Sequence, residues 1–280
     1  MSYRQLRFPG GKPKAVTFSY DDGVTNDIKL AGILDRYGIK CTFNHNTFVH
    51  NRLTREEVIE HILSKGHEIA VHGAEHRAEG QIRPIEGITD VLECRKCLEK
   101  KYGIIIRGMA YPDSGIRFML PGNSYEDIKK YLKALDIVYS RTAWGDNDLF
   151  RLPEDWYSWV PTAHHNNKEL MKYIDEFLSL GFSGYPSGRY PRLFYLWGHS
   201  YEFERDNNWE RLEEICEKLS GKPDIWYATN MEIYEYVTAY NSLSYSADGS
   251  IVYNPSLMTV WFDIDDTRYS VKSGETLFID

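Results

Sequence analysis

The chain has 280 residues, 42% of them hydrophobic and 26% charged, with a net charge of -8 and a pI of about 5.6. That is enough apolar material for a sizeable core, and the acidic balance excludes the basic footprint of a nucleic-acid binder. No run of about 18 apolar residues is present to span a membrane, and Met1 to Arg7 lack the apolar stretch of a signal peptide, so a cytoplasmic setting is expected.

Strand and helix signals alternate along most of the chain. Ala15 to Tyr20 reads as a strand, followed by a helix carrying Ile28, Ala31, Leu34 and Tyr37 on one side and stopped by Gly38. Ile39 to Phe43 is the next strand. Thr54 with Glu57 forms a capping-box signature ahead of Val58, Ile59, Ile62 and Leu63, and Gly66 closes that helix. A short strand from His67 to Val71 leads to a helix from Pro84 to about Lys101. Ile104-Ile105-Ile106 starts another strand, and Asn123 with Glu126 caps the helix after it. The pattern continues less regularly through Asp136 to Tyr139, Trp156 to Val160 and a helix near Leu170 to Leu180. A Gly- and Pro-rich loop, Gly181 to Pro191, precedes the apolar strand Leu193 to Trp197, and helices follow near Trp209 to Leu219 and Thr229 to Tyr240.

Repeated βα units imply a parallel sheet with helices outside it, either a barrel or a doubly wound sheet. The composition shifts after Asn241. Residues 242–280 are short, alternating and turn-punctuated, and read as a small antiparallel β appendage on a 1–241 catalytic unit. The four cysteines, Cys41, Cys94, Cys97 and Cys216, are too few for a disulfide framework. Cys94 and Cys97 have knuckle spacing but lie in a helical pattern with no second pair, and read as structural.

In parallel α/β folds the chemistry collects where strands end and loops begin. Asp21 and Asp22 follow the first strand, His72 follows Val71 with His76 four residues on, Tyr111-Pro112-Asp113 follow the strand begun at Ile104, and His199 follows the strand ending at Trp197. Two adjacent carboxylates before Gly23 can divide two roles around one centre, one ligating a metal and the other holding a water. His72 and His76 lie about one helical turn apart, close enough to bind one ion, and with Asp22 they make a two-His, one-carboxylate set with open positions. His199 is a candidate general acid, because imidazole titrates near neutral pH. His45 could face the same site, and His164 and His165 could contact substrate, but each reads first as an ordinary histidine.

These residues resemble the polysaccharide deacetylases, carbohydrate esterase family four. Thr17-Phe18-Ser19-Tyr20-Asp21-Asp22-Gly23 is similar to the family's first motif, which implies Asp21 as general base and Asp22 as metal ligand. His72-Gly73-Ala74-Glu75-His76 resembles the second, which supplies two metal-binding histidines. Leu196-Trp197-Gly198-His199 resembles the last, which implies that Leu196 lines the acyl pocket and His199 protonates the leaving group. The resemblance covers about residues 14 to 240 and implies a distorted (β/α)7-type TIM-like barrel. Three positions depart from the pattern. Gly73 stands where the family has Ser or Thr. Ala110-Tyr111-Pro112 stands where it has an Arg before a Pro-Pro-Tyr turn, with Arg107 three residues earlier. No fourth motif is recognisable, Trp144 and Trp156 being its only candidates.

The expected activity is therefore metal-dependent removal of N-acetyl or O-acetyl groups from a polysaccharide, oligosaccharide or amino sugar. Zinc is the first expectation for the ion, with cobalt, nickel and manganese as alternatives. The oxyanion is expected to rest on the ion and on a backbone N–H near Tyr111, and Tyr111, Pro112, Leu196 and Trp197 are the expected substrate and oxyanion residues. The alternatives are a C–N hydrolase of a small cyclic amide or imide, and a non-catalytic glycan binder using the 21 tyrosines and the β appendage as its sugar platform. Neither a nucleic acid nor a membrane is an expected partner.

Overall fold

The computed structural model describes residues 2–48, 52–182 and 186–279. In chain order the elements are β1 (Arg4–Arg7), β2 (Lys14–Asp22), α1 (Asn26–Arg36), β3 (Cys41–His45), α2 (Arg55–His61), β4 (Glu68–Val71), α3 (Pro84–Tyr102), β5 (Gly108–Ala110), α4 (Tyr125–Ala134), β6 (Tyr139–Arg141) and β7 (Ala163–His164). They continue with α5 (Leu170–Ser179), β8 (Arg192–Gly198), α6 (Ser200–Arg205), α7 (Trp209–Leu219), β9 (Ile225–Tyr227), α8 (Asn230–Asn241), β10 (Ser244–Tyr245), β11 (Ile251–Tyr253), β12 (Val260–Ile264), β13 (Thr267–Val271) and β14 (Thr276–Phe278).

Seven parallel strands run in the order β6-β5-β4-β3-β2-β8-β7, and β9 pairs with the first residues of β2. The stretch from Trp159 to His165 closes the ring. Trp159 bridges Arg141 of β6, while Thr162 and His165 donate their N–H groups to Tyr195 and Trp197 of β8. The result is the distorted seven-stranded barrel that the resemblance implies.

Period-2 alternation sorts the strands' side chains. On β2, Val16, Phe18 and Tyr20 face the helices and join Leu30, Leu34, Val58, Val91 and Leu98 in the main core. Ala15 joins a second core with Tyr139, Trp159 and Tyr195. The helices dock by their apolar stripes. On α5, Leu170, Ile174 and Phe177 are fully buried at i, i+4 and i+7, and each such side chain contributes about 1.5–3 kcal/mol. Both reciprocal hydrogen bonds of the Thr54–Glu57 capping box are present.

Two elements differ from the expectation. Ile104 to Ile106 is not a strand: Ile105 is 79% exposed, and the Ile106 N–H donates to Glu99 of α3. The run is a connector, and the paired strand starts at Gly108. Ser124, not Asn123, caps α4 through the Asp127 N–H, because the Asn123 amide is committed to the carbonyls of Gly80 and Ile82. On α3, Cys94 is buried with Sγ against the His45 carbonyl, and Cys97 is exposed.

The C-terminal segment forms two antiparallel sheets, β10-β11-β14 and β1-β12-β13, the second completed by the N-terminal strand. Arg7 and Asp263 form a buried ion pair across it at 2.7 Å. Helix α8 ties these sheets to the barrel. The Tyr236 hydroxyl donates to the Arg7 carbonyl and accepts from the Trp261 N–H, and Asn230 at the start of α8 bonds Thr17, Thr42 and Tyr195 inside the barrel. The appendage thus covers the end where β2 begins, opposite the strand ends that carry Asp21, His72 and His199. Among the described residues, no helix is long and apolar enough to cross a membrane.

Candidate active site

At the C-terminal end of β2, Asp21 keeps the inward direction of the strand. Asp22 would face away by alternation, but its φ of 86° turns the chain so that its carboxylate joins the same site. A non-glycine residue there costs on the order of 1–3 kcal/mol, a strain that persists where surrounding contacts over-determine it. His76 carries similar strain, with φ 54°. Asp22 Oδ1 lies 3.4 Å from His76 Nε2 and 3.8 Å from His72 Nε2, and it accepts a hydrogen bond from the Asn46 amide at 2.8 Å.

This donor set fits a divalent ion. The three atoms lie within 4.8 Å of one another. His72 Nδ1 sits 2.9 Å from the Ala110 carbonyl at the end of β5. A carbonyl can only accept, so the ring proton belongs on Nδ1 and Nε2 keeps its lone pair for a metal.

The loop from His72 to His76 is held by α3. Asp90 Oδ1 accepts the Glu75 N–H at 2.6 Å, and its backbone carbonyl accepts the Ala74 N–H. Gly73 has φ 74°, and a Cβ there would stand 2.5 Å from Asp90 Oδ2. The carboxylate thus occupies the space that a Ser or Thr at this position would fill. Gly73→Ala is expected to lose about 2 kcal/mol of stability, combining left-handed strain with that clash. Chemical denaturation checks this, and an unchanged midpoint would count against the loop support described.

Asp21 is 2% exposed and bound on both oxygens. The Asn44 amide donates to Oδ1 at 2.8 Å, and the guanidinium of Arg141 pairs with Oδ2. Burial by itself would raise the Asp21 pKa, but Arg141 foremost, with His72 and His199, brings it below the usual value. Arg141 is wholly buried, lies at the end of β6 and sits 4.4 Å over the Trp197 ring. Arg107 is elsewhere, bonded to Asp136 at the surface.

His199 lies at the junction of β8 and α6, its segment anchored by the Ser200 hydroxyl on Asp27 of α1. Burial and the neighbouring carboxylates push Asp27 up to about 8. Burial opposes the imidazolium of His199, yet Glu202, Asp21 and Asp22 outweigh it and raise its pKa.

The other residues marked from the sequence divide between the site and the core. Leu196 is fully buried in the helix-facing core, and alternation turns Trp197, its neighbour, toward Arg141 and His199. The Tyr111 N–H donates to the Arg141 carbonyl at 3.0 Å and its hydroxyl to the Tyr157 carbonyl, so that N–H is not available to an oxyanion. Pro112 is buried behind it. His45 faces α3, with Nδ1 3.0 Å from the Tyr102 hydroxyl, and burial lowers its pKa to about 3. Trp156 packs on Trp159 and Tyr234, and Trp144 lies against Gly115.

Arg141, Asn44, Asn46, Asp90 and Glu202 were not singled out from the sequence. A strand-end position was the one available signal for Arg141.

The sequence model of the polysaccharide deacetylase family matches residues 9–138, which carry Asp21, Asp22, His72 and His76. No curated protein sequence matches the chain. Among solved structures, one from Mycobacterium smegmatis assigned to the polysaccharide deacetylases is 18% identical, covering 86% of this chain and 96% of that one with a TM-score of 0.56. The chitin deacetylase of the fungal pathogen Colletotrichum lindemuthianum is 14% identical, with 79% and 87% covered and a TM-score of 0.50. At these identities the likeness is one of fold.

Proposed function

We propose that this chain is a polysaccharide deacetylase, the family whose model matches residues 9–138, and that it hydrolyses an N-acyl group from a carbohydrate with a divalent ion held by Asp22, His72 and His76. One observation carries the reading. At a single barrel end, that donor set meets an Asp21 kept ionised by Arg141 and a His199 of raised pKa.

When bound, the ion, zinc in the first instance, supplies Lewis-acid polarisation of the acyl carbonyl and a water of lowered pKa. Asp21 accepts the proton of the attacking water. Arg141 and Asn44 fix its orientation, and Arg141 keeps it ionised and so able to act as a base. His199 delivers a proton to the departing amine, a transfer that typically contributes 10²–10⁴-fold in rate. Trp197 and His199 border the position of the leaving group. The fold likeness to a chitin deacetylase makes N-acetylglucosamine oligomers the first substrates to test.

The experiment measures acetate released from a panel of N-acetylated amino sugars and oligosaccharides, using metal-stripped protein with and without added Zn²⁺, Co²⁺ or Mn²⁺. Acetate release restored by metal is the expected result. Silence with stoichiometric metal binding would transfer the reading to a small cyclic amide or imide, whose ring opening releases no acetate. Silence without metal binding would remove the catalytic reading.

A further inference from the structure

Glu202, in the first turn of α6, has three imidazoles around its carboxylate. His164 Nε2 lies 3.1 Å and His165 Nε2 3.0 Å from Oε2, and His199 Nδ1 lies 3.8 Å from Oε1. Arg205 also approaches Oε1, at 3.7 Å, but its guanidinium is bonded to Asp206. The distances alone would suit a second divalent ion, since His164, His165 and Glu202 each offer an atom within 4.8 Å of the others.

Tautomer chemistry decides against an ion. The backbone N–H of Asn166 donates to His164 Nδ1 at 3.1 Å. That nitrogen therefore holds a lone pair, and the neutral ring carries its proton on Nε2. A metal at Nε2 would force the proton onto Nδ1, head-on to the Asn166 N–H. His164 presents an N–H to Glu202, not a lone pair. His165 is fully buried, stacked between Tyr20 and Phe203, and its Nδ1 lies against Gly198, where no side chain would fit. Its Nε2 is the nitrogen that meets the carboxylate.

We infer that Glu202 is the positioning residue of His199, and that His164 and His165 serve to hold Glu202. The inference rests on the reading of His199 as proton donor. A carboxylate beside Nδ1 keeps the ring's first proton there and leaves Nε2 for the departing group. The two imidazoles crowd Oε2 at 3.1 and 3.0 Å, which leaves Oε1 as the oxygen on the His199 side. The His199 ring is confined by Trp197, Tyr201 and His164, with centroids at 5.9, 5.2 and 6.1 Å. Sequence spacing supports the assembly, because His199 and Glu202 are three residues apart across the start of one helix and so face the same side.

The test compares two substrates on the metal-loaded protein. One is an N-acetylated amino sugar, whose amine must be protonated to leave. The other is an activated phenyl acetate, whose phenolate leaves unaided. Glu202→Gln, nearly isosteric, is expected to lower kcat on the amide by about 10²-fold, with KM, ester hydrolysis and bound metal unchanged. Combined with His199→Gln, it is expected to add nothing beyond His199→Gln alone, as residues acting through one another do. Equal losses on amide and ester would overturn the inference in favour of a scaffold role. A fall from two bound ions to one would overturn it in favour of a second metal site. A parent protein that cleaves the ester but not the amide would overturn the proposed function and this inference with it, a pattern distinct from an active parent whose variant is unaffected.

Discussion

Asp21→Asn is expected to lower kcat for deacylation by about 10³-fold or more while leaving the divalent ion bound, as measured by acetate release and metal content. On the proposed mechanism the substitution removes the carboxylate that takes the water's proton, and it leaves Asp22, His72 and His76 untouched. It also creates a polar conflict. Asp21 accepts from Asn44 on one oxygen and from Arg141 on the other, whereas an amide has one acceptor and must turn its NH₂ toward a donor. With both partners buried, that mismatch costs about 1–3 kcal/mol. The variant is therefore expected to unfold at lower denaturant concentration as well as to lose turnover. Near-normal rates in a metal-loaded variant would remove Asp21 from the role of base.

Arg141→Met is expected to destabilise the fold by about 3–5 kcal/mol, because it leaves a buried carboxylate without its cation. The sign of the pH dependence follows. With Arg141 present, the Asp21 pKa is lowered, so the pair contributes stability above the unfolded-state pKa and loses it as pH falls. Without Arg141, burial dominates and raises the pKa above that of the unfolded chain. The variant's deficit should therefore be largest at neutral pH and shrink in acid, where Asp21 is protonated and no unpaired charge remains. Denaturation midpoints across pH check this. Arg107→Met, which removes an exposed pair with Asp136, should cost no more than about 1 kcal/mol. If the two variants matched, the assignment of the buried pair would fail.

The local motifs were legible because their geometry is local. Asp21-Asp22-Gly23 lies at a strand end whoever its neighbours are, and His72 and His76 are close in space because they are close in sequence. The alternation of apolar strands and amphipathic helices was legible for the same reason, as was the break in composition after Asn241. Ile104-Ile105-Ile106 misled because an apolar run says nothing about whether a neighbouring strand is there to pair with it.

The sequence alone thus determined the βα architecture and marked Asp22, His72 and His76 as a candidate donor set, with Asp21 and His199 as the acid-base candidates. Tertiary structure decided what tunes them. Arg141 reaches Asp21 from 120 residues away because barrel closure brings the end of β6 across from β2, and no spacing rule carries that distance. Leu196 and Trp197 were both expected at the substrate site, but adjacent strand residues face opposite sides, and only the packed helix layer settles which one faces the cleft. The Tyr111 N–H is taken by the Arg141 carbonyl, a partner that only the β5–β6 pairing supplies. Glu202 acquires its surroundings only when β7 delivers His164 and His165 beside α6. A carboxylate's chemistry depends on the charges and donors within a few ångströms of it, and for buried groups those neighbours are set by the fold.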